Sequence, residues 1–190
     1  MANKVKYGLS NCYYAVLDET TSPATYGTPV ALPGAVSVSF DQEGDTNKFR
    51  ADNIDYYVSI SNNGYSGDLE LALIPDAFLK DVMGETVNTA TGLQFERADS
   101  NPKPFALLFQ FEGDNTSTRH AMYYCKASRP SVASQTTEET IEPVTETISI
   151  TATARIVEIG GNDVPLVKAK CDETATTTYN AFFSAVQLPT

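Results

Sequence analysis

Residues 62–84 read NNGYSGDLELALIPDAFLKDVMG, and three kinds of local structure follow from that one run. Asn62-Asn63-Gly64 suits the positive φ values of a tight turn. The stretch SGDLELAL sets Leu69, Leu71 and Leu73 on one side of a strand, so with the preceding YYVSIS it predicts a hairpin. Pro75 then suits the first helical position, where its missing N–H costs nothing, and Asp76 puts a negative charge beside the positive end of the helix dipole. Phe78, Leu79, Val82 and Met83 share one face, and Gly84 is placed for a left-handed stop. A helix of about two turns holds only when packed, which favours a brace on the sheet over a free partner-binding helix. The run has no His, no Cys and no Gly-rich phosphate loop; its content is shape.

Upstream, CYYAVLDE from Cys12 is apolar on both faces, as in a central strand covered on both sides. AVSVSFD alternates Val36, Val38 and Phe40 with Ser37 and Ser39, the pattern of a half-exposed strand. Between them TTSPATYGTPVALPG reads as an irregular connection. DQEGDTNKFRADN, from Asp41 to Asn53, mixes acids and bases and reads as an exposed loop. Downstream, KPFALLFQFEGDNTSTRHAMYYCKA predicts a second hairpin, with Phe105, Leu107, Phe109 and Phe111 alternating before a turn at Gly113-Asp114-Asn115. SRPSVASQTTEETIEP is a polar loop or arm. TETISITATARI predicts one long strand, with Ile148, Ile150, Ala152, Ala154 and Ile156 opposite Thr147, Ser149, Thr151, Thr153 and Arg155. After a Gly160-Gly161 turn, Tyr179, Phe182, Phe183 and Val186 suit a short helix or a packed end segment. With no internal repeat or linker, residues 1–190 are expected to form a single domain. It should be mainly β: an antiparallel sandwich or rolled barrel with a short flanking helix and long loops.

The net charge of −11 and pI near 4.4 argue against a nucleic-acid binder, whose affinity comes from Lys and Arg displacing counterions. MANKVKYGLSNC lacks the apolar core of a signal peptide, and no run approaches the roughly 20 apolar residues of a bilayer span, so synthesis in a cytoplasm and no membrane partner are expected. Cys12, Cys125 and Cys171 are widely spaced and fit neither a disulfide framework nor a zinc site; they are expected to be reduced and mostly buried.

No catalytic set emerges. His120 and Cys125 are five apart and would point to opposite faces of a regular strand, where a nucleophilic pair needs one face and an orienting third group. Asp41, Glu43, Asp45 and Asp52 offer hard oxygen ligands, but their spacing is not that of a calcium loop and Lys48 and Arg50 sit among them. Glu138, Glu139, Glu142 and Glu146 form an acidic run without compensating bases. No enzyme activity, metal or cofactor is expected.

ADNIDYYVSISNNGYSGDLELALIPDAFLKDVMG resembles the central signature of the major tail proteins of long-tailed, non-contractile phages of Gram-positive bacteria. KPFALLFQFEGDNTSTRHAMYYCKASRPSVASQTTEETIEP resembles that family's second block, and TETISITATAR the strand after it. KYGLSNCYYAV and AFFSAVQLP also fit, so the resemblance spans nearly the whole chain in order. It implies the tail-tube fold and a virion subunit whose hexameric rings stack into a tube. The tube would hold a tape-measure protein, meet tail-terminator and distal tail proteins at its ends, and pass DNA without binding it specifically. If each subunit lends strands to an inner barrel, Asp68 and Glu70, with Thr147, Ser149 and Thr151, are the residues expected to face the lumen. Asp41, Glu43, Asp45, Lys48, Arg50, Glu138, Glu139 and Glu142 are expected to meet neighbouring subunits. A tail terminator or head-decoration subunit, or a carbohydrate-binding β-sandwich, would share the composition; the last ordinarily offers Trp platforms, and this chain has no Trp.

Overall fold

In the computed structural model, which describes residues 5, 7–113, 116–134, 136 and 143–189, the chain is mainly antiparallel β with two short helices. The elements are β1 (Leu9–Asp18), β2 (Thr25–Tyr26), β3 (Val30–Ala31), β4 (Ala35–Glu43), β5 (Thr46–Ala51), β6 (Ile54–Ile60), β7 (Gly64–Leu71), α1 (Asp76–Asp81), β8 (Thr86–Val87) and β9 (Gln94–Phe95). After these come β10 (Phe105–Phe111), β11 (Arg119–Ala127), β12 (Glu146–Thr153), β13 (Arg155–Ile159), β14 (Asn162–Leu166), β15 (Lys168–Cys171) and α2 (Thr176–Ala181).

The main sheet runs β2-β1-β10-β11-β12-β7-β4, with β3 on β1 and β15 on β11. Its two ends are joined by one short corner. Leu32 N–H donates to the Cys12 carbonyl and Ala72 N–H to the Gly34 carbonyl, both at 2.8 Å, so the segment linking β3 to β4 ties β1 to the β7 side and rolls the sheet on itself. Inside lie Tyr14, Leu69, Leu71, Phe105, Leu107, Cys125, Ile148 and Ile150, all essentially without exposure. The alternating strands β7 and β12 thus bury one face each, as their pattern requires, while β10 is buried on both faces.

Helix α1 closes one end of this roll. Phe78, Val82 and Met83 are buried and Leu79 packs at the margin of the core. The Phe78 ring meets Tyr14 and Phe105 edge-on, with centroids 5.1 and 5.5 Å apart. Tyr14 O–H donates to Asp81 Oδ2 at 2.8 Å, and burial first, then that carboxylate, pushes the phenol pKa up. Pro75 is the N-cap residue, extended at ψ 138°, so the helix begins one residue later than the sequence predicts. Gly84 is left-handed at φ +77°. On the outer side of β1, β10 and β11 the C-terminal segment lays down Phe182, Phe183, Val186 and Leu188 against Tyr13, Leu108, Ala121 and Tyr123. Arg119 sits over the Tyr179 ring, 3.7 Å from its centroid.

Three local expectations are corrected. Asn62-Asn63-Gly64 is not a hairpin turn. β6 pairs with β5 and β7 with β4, so residues 35–71 form one long ribbon whose tip is Asp52-Asn53, both at positive φ (51° and 63°). The Asn-rich stretch is a corner in that ribbon, opposite Gly44-Asp45. There Asn63 N–H donates to the Glu43 carbonyl and Ser61 N–H to the Asp45 carbonyl. Gly64, at φ +107°, is required because a Cβ would lie 2.1 Å from the Ala152 carbonyl oxygen. TETISITATARI also divides: β12 ends at Thr153 where its partner β7 ends, and Ala154 and Ile156 are exposed rather than in line with Ile148. β13 pairs instead with β14 around Gly160-Gly161. Lastly, β11 carries a register shift opposite Phe105–Leu107, which rephases it so that Met122 and Cys125 both face the interior. His120 stacks on Phe109 at 5.3 Å on that same side. His120 and Cys125 therefore share a face, but burial pushes the Cys125 thiol up to about 12, far from the thiolate a nucleophile needs.

Candidate assembly surfaces

Opposite the buried Leu69, Leu71, Ile148 and Ile150, the three adjacent strands β4, β7 and β12 present a polar face. The registers Ser37↔Glu70↔Thr147, Ser39↔Asp68↔Ser149 and Asp41↔Ser66↔Thr151 align nine residues in a three-by-three array. None of the three strands contains Lys or Arg. Hydroxyls hold the two acids in place: Ser149 donates to Asp68 Oδ1 at 2.7 Å, Ser37 to Glu70 Oε2 at 2.8 Å and Thr145 to Glu70 Oε1 at 2.5 Å. The bond from Thr145, then that from Ser37, draws the Glu70 carboxyl below its ordinary value, because both stabilise the ionised form.

All five residues expected to face a lumen, Asp68, Glu70, Thr147, Ser149 and Thr151, are therefore on one surface. The sequence reading did not add Ser37, Ser39 and Ser66 to them. The alternation in AVSVSFD carried that signal, but strand neighbours are not legible from a single strand.

The residues expected in an inter-subunit loop divide. The stretch from Asp41 to Asp52 is not a loop: the end of β4, a corner and β5 take it up, because its residues find ladder partners in β7 and β6. Asp41 and Glu43 fall on the polar face of β4. Asp45 holds the corner, its N–H donating to Ser61 Oγ at 2.9 Å. Lys48 and Arg50 lie farther out, on the hairpin of β5 and β6. Glu138, Glu139 and Glu142 lie outside the described residues.

That hairpin is an arm. Almost every residue in it is exposed. Its pairing jumps from Phe49↔Tyr57 to Arg50↔Asp55, leaving Tyr56 as the extra residue of a bulge. The bulge exchanges the faces of β6. One side then carries Phe49, Tyr57 and Ile54, which are 62%, 62% and 61% exposed. The other carries Lys48, Arg50 and Asp55 beside the exposed Val58 and Ile60, with Lys48 Nζ 3.0 Å and Arg50 Nε 3.3 Å from the Asp55 carboxylate. Apolar side chains left bare on a projecting ribbon make it a candidate interaction surface.

No family model matches this chain, and no curated protein matches it. Solved structures do match, among them two from an anti-feeding prophage. One is the anti-feeding prophage cap (AFP tube terminating cap), 10% identical, with 90% of this chain and 95% of that chain covered at a TM-score of 0.49. The other is the anti-feeding prophage (AFP) baseplate, 8% identical, with 90% and 97% covered at 0.49.

Proposed function

We propose that the chain is a structural subunit of a phage tail, and within it the tube protein, whose hexameric rings stack around a channel for DNA. The observation that carries this reading is the cation-free array on β4, β7 and β12, set back to back with the buried core. Duplex DNA carries one charge per about 1.7 Å, so a wall with Lys or Arg would grip it at many points. The rows through Asp68 and Glu70 offer no such anchor, while Lys126 of β11, opposite Thr151, borders the face on one side; repetition around a ring would multiply the negative field of the two acids within a screening length of about 10 Å at 0.1 M salt.

Two further features support a repeating assembly. The outer edge of β4 has no strand partner among the described residues, and an edge of that length is ordinarily paired or covered. The β5–β6 arm exposes its stripe away from the core. The role is structural and uses no cofactor, membrane or catalytic residue. The chain would be made in the host cytoplasm and end in the virion, enclosing the tape-measure protein and meeting terminator and distal tail proteins at the tube ends.

Negative-stain electron microscopy of the purified chain, alone and with tail-initiation partners, tests this. Hollow rings or tubes are expected. Discs found only at the ends of tubes built from another protein would make the chain a terminator, and monomers under every condition would contradict the assembly.

A further inference from the structure

Asn63-Gly64 is the only Asn-Gly pair in the chain, and it stands at the corner where the inner and outer halves of the ribbon meet. In such a pair the main-chain nitrogen of the glycine can attack the side-chain carboxamide of the asparagine. A bond forms between Gly64 N and Asn63 Cγ, the Gly64 N–H proton goes to solvent, and the side-chain nitrogen takes up a proton and leaves as ammonia. Water then opens the cyclic imide at either carbonyl, giving aspartate or isoaspartate. Glycine favours the attack because no Cβ hinders the approach. Here the fold cannot dispense with the glycine: Gly64 lies at φ +107°, and a Cβ on it would come within 2.1 Å of the Ala152 carbonyl oxygen. Asn63 itself is exposed, whereas Gly64 is buried.

Three hydrogen bonds hold the corner against that attack. Gly64 N–H, the proton that must leave, donates to Asn62 Oδ1 at 3.1 Å, the local side chain to backbone bond that Asn makes in turns. A bond donated by the N–H favours its protonated form, so the nitrogen is a poorer nucleophile. On the other side of Asn63, its own N–H donates to the Glu43 carbonyl at 2.9 Å and Ser61 N–H to the Asp45 carbonyl at 3.0 Å. The main chain is thus fixed on both sides of Asn63, and Gly64 N is held from swinging onto Cγ at the near-attack distance of about 3–3.5 Å.

We propose that Asn63 is a deamidation site kept latent by the folded corner, with Asn62 as its latch. While Asn62 Oδ1 holds Gly64 N–H, the Asn63 carboxamide persists; when the corner opens, it converts irreversibly. Either product adds a negative charge at the base of the β5–β6 arm. Isoaspartate also inserts one carbon into the main chain between the bond to Glu43 and the start of β7, so a chain carrying it cannot re-form the same corner. The latch does not depend on what the chain assembles into.

Incubating the whole chain in mildly alkaline buffer, folded and in urea, with peptide mapping of Asn63, aspartate and isoaspartate, tests this. Conversion is expected to be slower by about tenfold or more in the folded chain, since only the rarely opened corner reacts. Asn62→Ala should remove most of that protection, and Asn62→Asp, which keeps an Oδ1 acceptor, should retain it; the rate of each variant in urea is its own reference. Gly64 N–H in the unsubstituted chain should exchange with deuterated water slower by about tenfold or more than in the unfolded chain, and this reading decides should Asn62→Ala fail to fold. Equal conversion in the folded and unfolded chains would overturn the latent site. Protection that survives Asn62→Ala, or a Gly64 N–H that exchanges as in the unfolded chain, would overturn the latch.

Discussion

The inner and outer halves of the ribbon from residue 35 to 71 have similar strand lengths, the same antiparallel pairing and one continuous backbone, yet opposite fates. The inner half, β4 with β7, buries Leu69 and Leu71 completely and packs Val38 and Phe40 against the core. The outer half, β5 with β6, buries almost nothing and carries aromatic residues where the inner half carries Ser and acids. A two-stranded hairpin is marginal in water by itself. The inner half is held by β12 and the core beneath it, whereas the outer half has only its ladder, its ion pairs and whatever meets it in the assembly. Folding specifies one half of the ribbon; on the proposed assembly reading, association specifies the other.

The largest effects should come from breaking the inner half. Phe78→Ala, in the core cluster that also holds Leu69 and Leu71, is expected to cost about 3–5 kcal/mol, read as a lower urea midpoint. Gly67→Ala should act through the ladder itself, because its Cβ would lie 1.9 Å from the Ser39 carbonyl oxygen, forcing β4 from β7. An unchanged midpoint in either variant would mean that this half does not hold the fold. The outer half should show the reverse. Phe49→Ser with Tyr57→Ser is expected to move stability by no more than about 0.5 kcal/mol while assembly fails in light scattering; a large loss of stability would place these rings in a core.

Much of this division was legible, and the failures have a common cause. Alternation marked the half-buried strands β4, β7 and β12, and the Phe78, Val82 and Met83 face of α1, while β10, read from the alternation of Phe105, Leu107 and Phe109, is buried on both faces. What a single strand cannot show is its neighbour. Asn62-Asn63-Gly64 has turn chemistry, but the turn is at Asp52-Asn53, because pairing of residues 46–51 with 54–60 outweighed the local preference at the Asn pair. Likewise DQEGDTNKFRADN reads as polar enough for a loop, because the ladder partners of its second half lie beyond it in β6 and a bulge at Tyr56 breaks the alternation there. The lumen candidates were found from two strands read separately. That they lie side by side, joined by Ser37 and Ser39, needed the sheet.

A smaller effect is expected on the polar face. Asp68→Lys with Glu70→Lys should leave rings and tubes intact yet slow DNA ejection through charge-assisted contacts to phosphate, measured as dye-accessible DNA released against time; release at the unchanged rate would remove the electrostatic role. The smallest effect is a titration. Because Glu70 is held below its ordinary value of 4.5, the folded state binds that proton less readily than the unfolded chain. Its stabilising contribution is full above about pH 4.5 and fades as the pH falls through the lowered folded value. Thr145→Val should move the Glu70 carboxyl resonance in an NMR titration back towards 4.5, and an unmoved resonance would show that this hydroxyl does not set it.

Whether the face of β4, β7 and β12 lines a channel is decided by a cryo-electron microscopy map of the assembled protein. Six copies per layer are expected, with Asp68, Glu70 and Ser149 on the inner wall and the arm of each copy engaged with its neighbour. Those carboxylates on the outer wall, or an assembly without a channel, would contradict it.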